Sequence, residues 1–370
     1  MKNTLYLVYP KSSESGTLET LPETEGMKLI PEDDFVNNYG DKTDTNKVCI
    51  TSEASLESIL RIVKDQSKID GISAMKDKHL FRRLLQEMYP LLGYHLISFE
   101  DIHALEVSSK KIIKPIKGCF GTAVKTIDEK SDLAKIAQEI KIEIAKNSAV
   151  LSESVLSQSE FIVEDYIEGE EYAVDMFYDS KGQPHIVNIY FHPIPKHAEY
   201  LHMVYYTSKS VFEKIYARAV EFFHRLQEKL QLKNIALHAE FRFSDQLIPI
   251  EINAMRFGGM GLGNMIYHSL KVNPYQHFID EKSPDWPEIW KHHPDSNFVY
   301  FIAYNGTQID KAKQKPNLKK LEGEFTSLLN RTIFDYQKQL AFAAYTLQED
   351  PGNIDKLLQI DFNDYYEEIN

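Results

Sequence analysis

The chain has 370 residues, too many for one ordinary core and enough for two or three domains, and its apolar share of 43% is that of a folding protein. Its formal net charge is −13, with no lysine/arginine run long enough to track a phosphate backbone, which argues against nucleic acid as the main partner. The N-terminal apolar stretch is too short for a signal sequence, no segment approaches the ~20 apolar residues of a membrane span, and Cys49 and Cys119 form no CxxC or Cys/His cluster, so the chain reads as cytoplasmic, without membrane partner, disulfide or structural zinc.

In chain order, residues 1–75 read as a small α/β unit. Residues 4–10 and 47–51 are strand candidates, and Leu56, Ile59, Leu60 and Val63 recur at helical spacing. No GxGxxG follows either strand, so a dinucleotide-binding loop is not expected. From 76 the pattern is a helix (76–89, with Leu80, Phe81, Leu84, Leu85 and Met88 on one stripe), a strand (110–116) and a second helix (131–146). Strands follow at 161–167, 172–179 and 185–194, with Gly182 and Pro184 marking the last turn. A long amphipathic helix covers 211–230, and two strands at 234–243 and 247–254 come after it. The remainder, opening on the polar "EKSPDWPEIW", reads as an appended C-terminal unit, giving domains 1–75, 76–280 and 281–370. There is no internal repeat or low-complexity tract.

The last two strands carry the chemistry. In "NIALHAEFRF" the alternation puts Ile235, Leu237, Ala239, Phe241 and Phe243 on one face and His238, Glu240 and Arg242 on the other. In "LIPIEINA" it puts Ile248, Ile250 and Ile252 opposite Glu251 and Asn253. If the turn at "SDQ" leaves a two-residue loop, or three residues with a bulge, Glu240 faces Glu251 and His238 faces Asn253. Facing like charges need neutralising. Either a hard cation such as Mg²⁺ takes them, using one or two carboxylates plus phosphates, or Arg242 pairs with one glutamate on a solvated face.

The order Lys78, "KPIKGCFG", "VEDYIEGEEY", "HAEFRF", "IEINAMRFGG" resembles the ATP-grasp ligase family over roughly residues 76–260. The resemblance implies an α/β (α+β) ATP-grasp fold, with a small N-terminal α/β domain, a two-lobed ATP-grasp module hinged near 164–167, and the C-terminal unit. It implies Lys78, with Lys76 as its rival, and Lys114 as phosphate-contacting lysines, and the loop with Gly118 and Gly121 as the flap over the β/γ-phosphates. Backbone around Glu164 and Ile167 would meet adenine, and Glu171, with Glu170 the nearest alternative, the ribose. Cys119 in the flap is given no chemistry.

The same resemblance makes Glu240, Glu251 and Asn253 the ligands of Mg²⁺, or of Mn²⁺ in its place, and Arg256 the group for substrate carboxylate and oxyanion. Arg256 stands three residues after Asn253, one more than the common EINxR pattern. His238 matches the HxE pattern of amino-acid and dipeptide ligases. The activity implied is that of an ATP-dependent carboxylate–amine ligase, releasing ADP and phosphate, acting on small molecules, with a homodimer as the family's common state. Its rivals are a kinase-like member that stops at a phosphorylated product and a nucleotide-binding module without turnover. The loop "FHPIPKHAEYLHMVYYTS" is expected to carry specificity without revealing it.

Overall fold

The computed structural model describes residues 4–10, 21, 24–40, 47–118, 121–148, 156–197 and 202–369. Cys119 of the expected flap and residues 198–201 of the expected specificity loop lie outside them. Among the described residues no helix is long and apolar enough to cross a membrane.

An eight-stranded antiparallel sheet dominates. Its order is Leu247–Ala254, Ile235–Phe243, Glu170–Tyr178, Pro184–His192, Val204–Ser208, Asn297–Tyr304, Ala341–Glu349 and Ser327–Ile333. The helix Lys209–Leu230, begun by Ser208, whose hydroxyl accepts the Val211 N–H, covers one face. Its Phe222 and Phe223 pack edge-on against Phe241 of the sheet, with ring centroids 5.0 and 6.0 Å away. Burying such side chains contributes roughly 1.5–3 kcal/mol each. Because Phe241 faces the helix, Glu240 and Arg242 must face away from it, so that the covered face is core and the other face is free for ligands.

A four-stranded antiparallel sheet stands apart, ordered Tyr94–Ser98, Glu160–Asp165, Lys111–Pro115, Lys125–Ile127. The helix Leu133–Ser148 backs it, sharing a separate core of Ile113, Ile127, Ile140 and Phe161. The short helix Lys78–Leu85 joins the two sheets. Lys78 N–H donates to Ile116 O beside the small sheet at 2.8 Å, while Arg82 Nη1 donates to Pro249 O of the large sheet at 2.6 Å.

The N-terminal unit is a three-stranded parallel sheet, Met27–Pro31, Leu5–Tyr9, Lys47–Ile50. Its core is continuous with that of the large sheet, since Leu5, Val48 and Ile72 belong to the cluster that includes Ile252 and Ala254.

Three features differ from the expectation. The helix expected over 76–89 is two helices, Gln66–Lys76 and Lys78–Leu85, parted at Asp77, whose carboxylate accepts the His79 and Leu80 N–H groups. An aspartate cap starts a new helix direction, so Lys76 and Lys78 point to different neighbours. The segment from 281 does not stand apart, because three of its strands extend the large sheet by pairing onto Val204–Ser208. Its apolar runs bury both faces, adding a second core around Phe301, Tyr345 and Phe362. Finally, the strands Met27–Pro31, Tyr94–Ser98 and Val204–Ser208 carry no period strong enough to announce themselves.

Candidate functional site

The hairpin has the register that its alternation allows, with Glu240 opposite Glu251 and His238 opposite Asn253. The loop is Ser244 to Gln246, and a bulge at Ile250 lets Phe241 face Pro249. That bulge corrects one expectation. It flips the face of the strand, so Ile252 lies on the core side opposite Ala239, whereas Ile248 lies opposite Arg242 on the ligand side. Arg242 does not neutralise the facing pair; it salt-bridges Glu171 at 2.8 Å and donates to Gly169 O at 3.0 Å.

Glu251 takes its counter-charge from Lys78, whose Nζ lies 3.0 Å away and also donates to Gly118 O of the flap at 3.3 Å. The Asn253 amide donates to the Glu251 carboxylate at 3.2 Å. Burial would raise the Glu251 carboxyl, but Lys78 and then Lys76 outweigh it and hold the group well below the usual carboxylate range. Glu240 goes the other way. Burial, then the charges of Glu251 and Glu171, push its carboxyl well above that range, against the pull of Arg256 and Lys78.

His238 sits beside this pair. Its Nδ1 lies 2.7 Å from Asp175, and its Nε2 lies 3.7 Å from Glu240. The Tyr190 hydroxyl lies 2.7 Å from the other Asp175 oxygen and 3.2 Å from Leu262 O, which ties the dyad to the loop after Arg256. The buried carboxylate makes Nδ1 the N–H donor of that bond and turns Nε2 toward the site.

On the opposing sheet, Lys114 is buried and ion-paired with Glu164, which also receives Arg82 Nε at 2.5 Å. Burial would raise the Glu164 carboxyl; Arg82 and Lys114 outweigh it and hold it at about 2. Burial pulls the Lys114 ammonium below the ordinary lysine range despite Glu164. The Glu164 backbone lies within a strand paired on both sides, facing Tyr94 and Ile112, while Ile167 lies two residues beyond the strand's end at Asp165. Gly121 has φ +66°, with open space where a side chain would stand.

Of the two ribose candidates, Glu170 is half exposed and pairs with Lys214, whereas Glu171 is largely buried between Arg242 and His192 Nδ1 at 2.6 Å. The His192 ring stacks on Tyr205 at 4.1 Å, and His202 Nδ1 contacts the Tyr205 hydroxyl at 3.0 Å.

The extra residue before Arg256 has a conformational role. Met255 adopts φ +63°, and its carbonyl accepts the Ile50 N–H at 2.8 Å, which ties the N-terminal sheet to the end of the hairpin. Arg256 then meets Glu53 at 2.9 Å and donates to Phe257 O at 3.2 Å. Burial works against its charge, but Glu53 outweighs that and raises its pKa further. Lys76 is ion-paired with Glu53, away from Glu251, whose direct partner is Lys78.

The structure thus gathers Lys78, Glu240, Glu251, Asn253 and His238 in one cluster, with Lys114 reaching it from the small sheet and Arg256 from the hairpin's end. Sequence reasoning missed Glu53, Arg82, Asp175 and Tyr190. Asp175 was the readable one, being a charge inside the apolar "YAVDMFY" on the same face as Glu171. Among the described residues no three His, Cys, Asp or Glu side chains converge as a metal cage. The donor set is two carboxylates and an amide, and a partly buried Glu240 with no lysine or arginine in direct contact among the described residues fits an ion such as Mg²⁺ that completes its shell with phosphate and water.

Residues 107–264 match the family model described as an ATP-grasp domain. No curated protein matches the chain. Similar solved structures include an L-amino acid ligase from Bacillus licheniformis, 13% identical with TM-score 0.68, aligned over 100% of this chain and 99% of that one. An N5-carboxyaminoimidazole ribonucleotide synthetase from Thermotoga maritima is 13% identical, TM-score 0.63, covering 100% of both chains. A biotin carboxylase from Campylobacter jejuni is 13% identical, TM-score 0.60, over 95% of this chain and 89% of that one. At such identities the likeness shows the fold, which extends over the whole chain.

Proposed function

From the premise that residues 107–264 are an ATP-grasp domain within a chain of ATP-grasp fold throughout, we propose that the protein is an ATP-dependent carboxylate–amine ligase. It transfers the γ-phosphoryl of ATP to a small carboxylate, forming an acylphosphate and ADP. An amine then attacks the carbonyl carbon, phosphate leaves, and the amine loses a proton. The carboxylate is an amino acid in this reading, in keeping with the HxE pattern at His238.

The observation that carries the proposal is the facing pair Glu240 and Glu251, with Lys78 bonded to one of them and Arg256 closing the same strand. Glu240, Glu251 and Asn253 would hold Mg²⁺, which when bound neutralises phosphate charge and the repulsion between the glutamates. Lys78 and Lys114 would contact the phosphates, with Lys78 already touching the flap at Gly118. Glu171 would meet the ribose, and the backbone near Ile167 the adenine. Arg256 binds the carboxylate and then the oxyanion that develops on it. His238 presents Nε2 to accept the amine's proton, held in place by Asp175.

The test supplies Mg·ATP, each of the twenty common amino acids in turn, and hydroxylamine as amine, and measures ADP and hydroxamate. Hydroxamate matched by ADP is the expected result. ADP matched by a stable phosphorylated product would make the protein a kinase. AMP and pyrophosphate would end the ATP-grasp reading of the site.

A further inference from the structure

We infer that Glu53 is the positioning residue of Arg256: it grips one edge of the guanidinium while holding Lys76 with its other oxygen, leaving the other edge for a single substrate carboxylate. The identity of what Arg256 receives rests on the ligase reading; the grip itself does not.

Several observations converge. Glu53 opens the short 3₁₀ turn Glu53–Ser55, which follows the strand Lys47–Ile50 after Thr51 and Ser52, and the Ser52 hydroxyl accepts the Ala54 N–H at its start. The Ile50 N–H to Met255 O bond fixes that turn beside Arg256 from the backbone outward. Glu53 is 11% exposed, and its two oxygens are spoken for: Oε1 lies 2.9 Å from Arg256 Nη2, and Oε2 is bonded to Lys76. In direct contact, one anion thus serves two cations, Lys76 and Arg256, while Glu240 and Glu251 act on them from farther away. Without Glu53, Lys76 and Arg256 would repel each other in a poorly hydrated place and the guanidinium would lose its fixed plane.

Arg256 also keeps donors to offer. A guanidinium has five N–H groups. One goes to Glu53 and one to Phe257 O. Gly259 borders the Nη1 edge, where an added Cβ would stand 3.4 Å from it, so residue 259 places no side chain over that edge. A carboxylate can therefore approach an oriented, half-committed guanidinium. The N-terminal unit, 203 residues from Arg256 in sequence, thereby sets the geometry of the substrate end of the site.

The test uses the full-length protein and the variants Glu53→Gln and Glu53→Asp, with Mg·ADP affinity and melting temperature as checks on folding. Phenylglyoxal modification of Arg256, followed by peptide mass analysis, reads the grip without any substrate. Arg256 should react several-fold faster in Glu53→Gln than in wild type, with Glu53→Asp between them; equal rates in all three would overturn the inference. With the amino acid that gives hydroxamate, Glu53→Gln should raise the KM for that acid about tenfold while leaving the KM for ATP unchanged. A fall in kcat and melting temperature with both KM values unmoved would make Glu53 a structural tie only, and would overturn the inference. If wild type forms no hydroxamate with any amino acid, the ligase reading falls, and the labelling rates still decide the role of Glu53.

Discussion

The Lys78 ammonium lies 3.0 Å from the Glu251 carboxylate, so a cation assigned to phosphate and an anion assigned to metal neutralise each other. On the proposed assignments, binding of Mg·ATP exchanges this pair for two others, Lys78 with phosphate and Glu251 with the ion. Lys78→Ala should therefore weaken Mg·ATP by about 1.5–3 kcal/mol, the worth of a charge-assisted hydrogen bond. It should also lower the melting temperature of the metal-free protein, and added Mg²⁺ should restore part of the loss. Calorimetry giving wild-type affinity for the variant would take Lys78 out of the site.

Glu164 yields a pH prediction whose sign is set by its carboxyl, held at about 2 by Arg82 and Lys114 against burial. A folded value below the unfolded one stabilises the protein above the ordinary carboxylate range, and that stability is lost as pH falls toward 2. The difference is worth about 3 kcal/mol. Urea midpoints of wild type and Glu164→Gln should differ widely at pH 6 and converge as pH falls from 5 to 2. A constant gap across that range would mean that Glu164 is not the shared anion of the two cations.

How much of this was legible depends on the reach of each signal. The hairpin could be read because polar residues at every second position of an apolar strand have one geometric meaning, and a short turn limits the register. A bulge was one of the two ways to bring Glu240 opposite Glu251, but its place at Ile250 escaped because one inserted residue leaves no mark in a run of isoleucines and proline. That Lys78 pairs with Glu251 and Lys76 with Glu53 follows from Asp77 acting as a cap between two helices. Glu53 and Arg256 meet through tertiary structure across most of the chain, beyond any local pattern. The strands Asn297–Tyr304 and Ala341–Glu349 are buried on both faces, so their apolar runs carry no period to say which sheet they join.

Asp175 touches only His238 and Tyr190 among the site's groups, so replacing it separates orientation from binding. Asp175→Asn should leave Mg·ATP affinity near wild type while lowering kcat for hydroxamate formation by roughly 10²-fold, the usual worth of a positioned proton acceptor. An unchanged kcat would show that His238 moves no proton in the rate-limiting step.

The facing carboxylates give the sharpest prediction, because their surroundings differ. Among the described residues no lysine or arginine contacts Glu240 directly, and burial together with Glu251 and Glu171 favours its protonated form, so Glu240→Gln replaces a strained group with a neutral one of the same shape. Glu251 is bonded to Lys78 and Asn253, so Glu251→Gln leaves a largely buried lysine without its anion. Without metal, Glu240→Gln should melt at or above the wild-type temperature and Glu251→Gln below it. Both should abolish turnover, since each removes a proposed metal ligand, and both should lose most of the stabilisation that Mg·ATP gives wild type. Melting curves with and without Mg·ATP, beside ADP assays, separate this from a solvated sheet face, where each substitution would shift stability by less than about 1 kcal/mol and leave catalysis alone. If both variants keep wild-type turnover and nucleotide-induced stabilisation, the metal site is not in this hairpin, and the assignments of Lys78 and Asn253 fall with it.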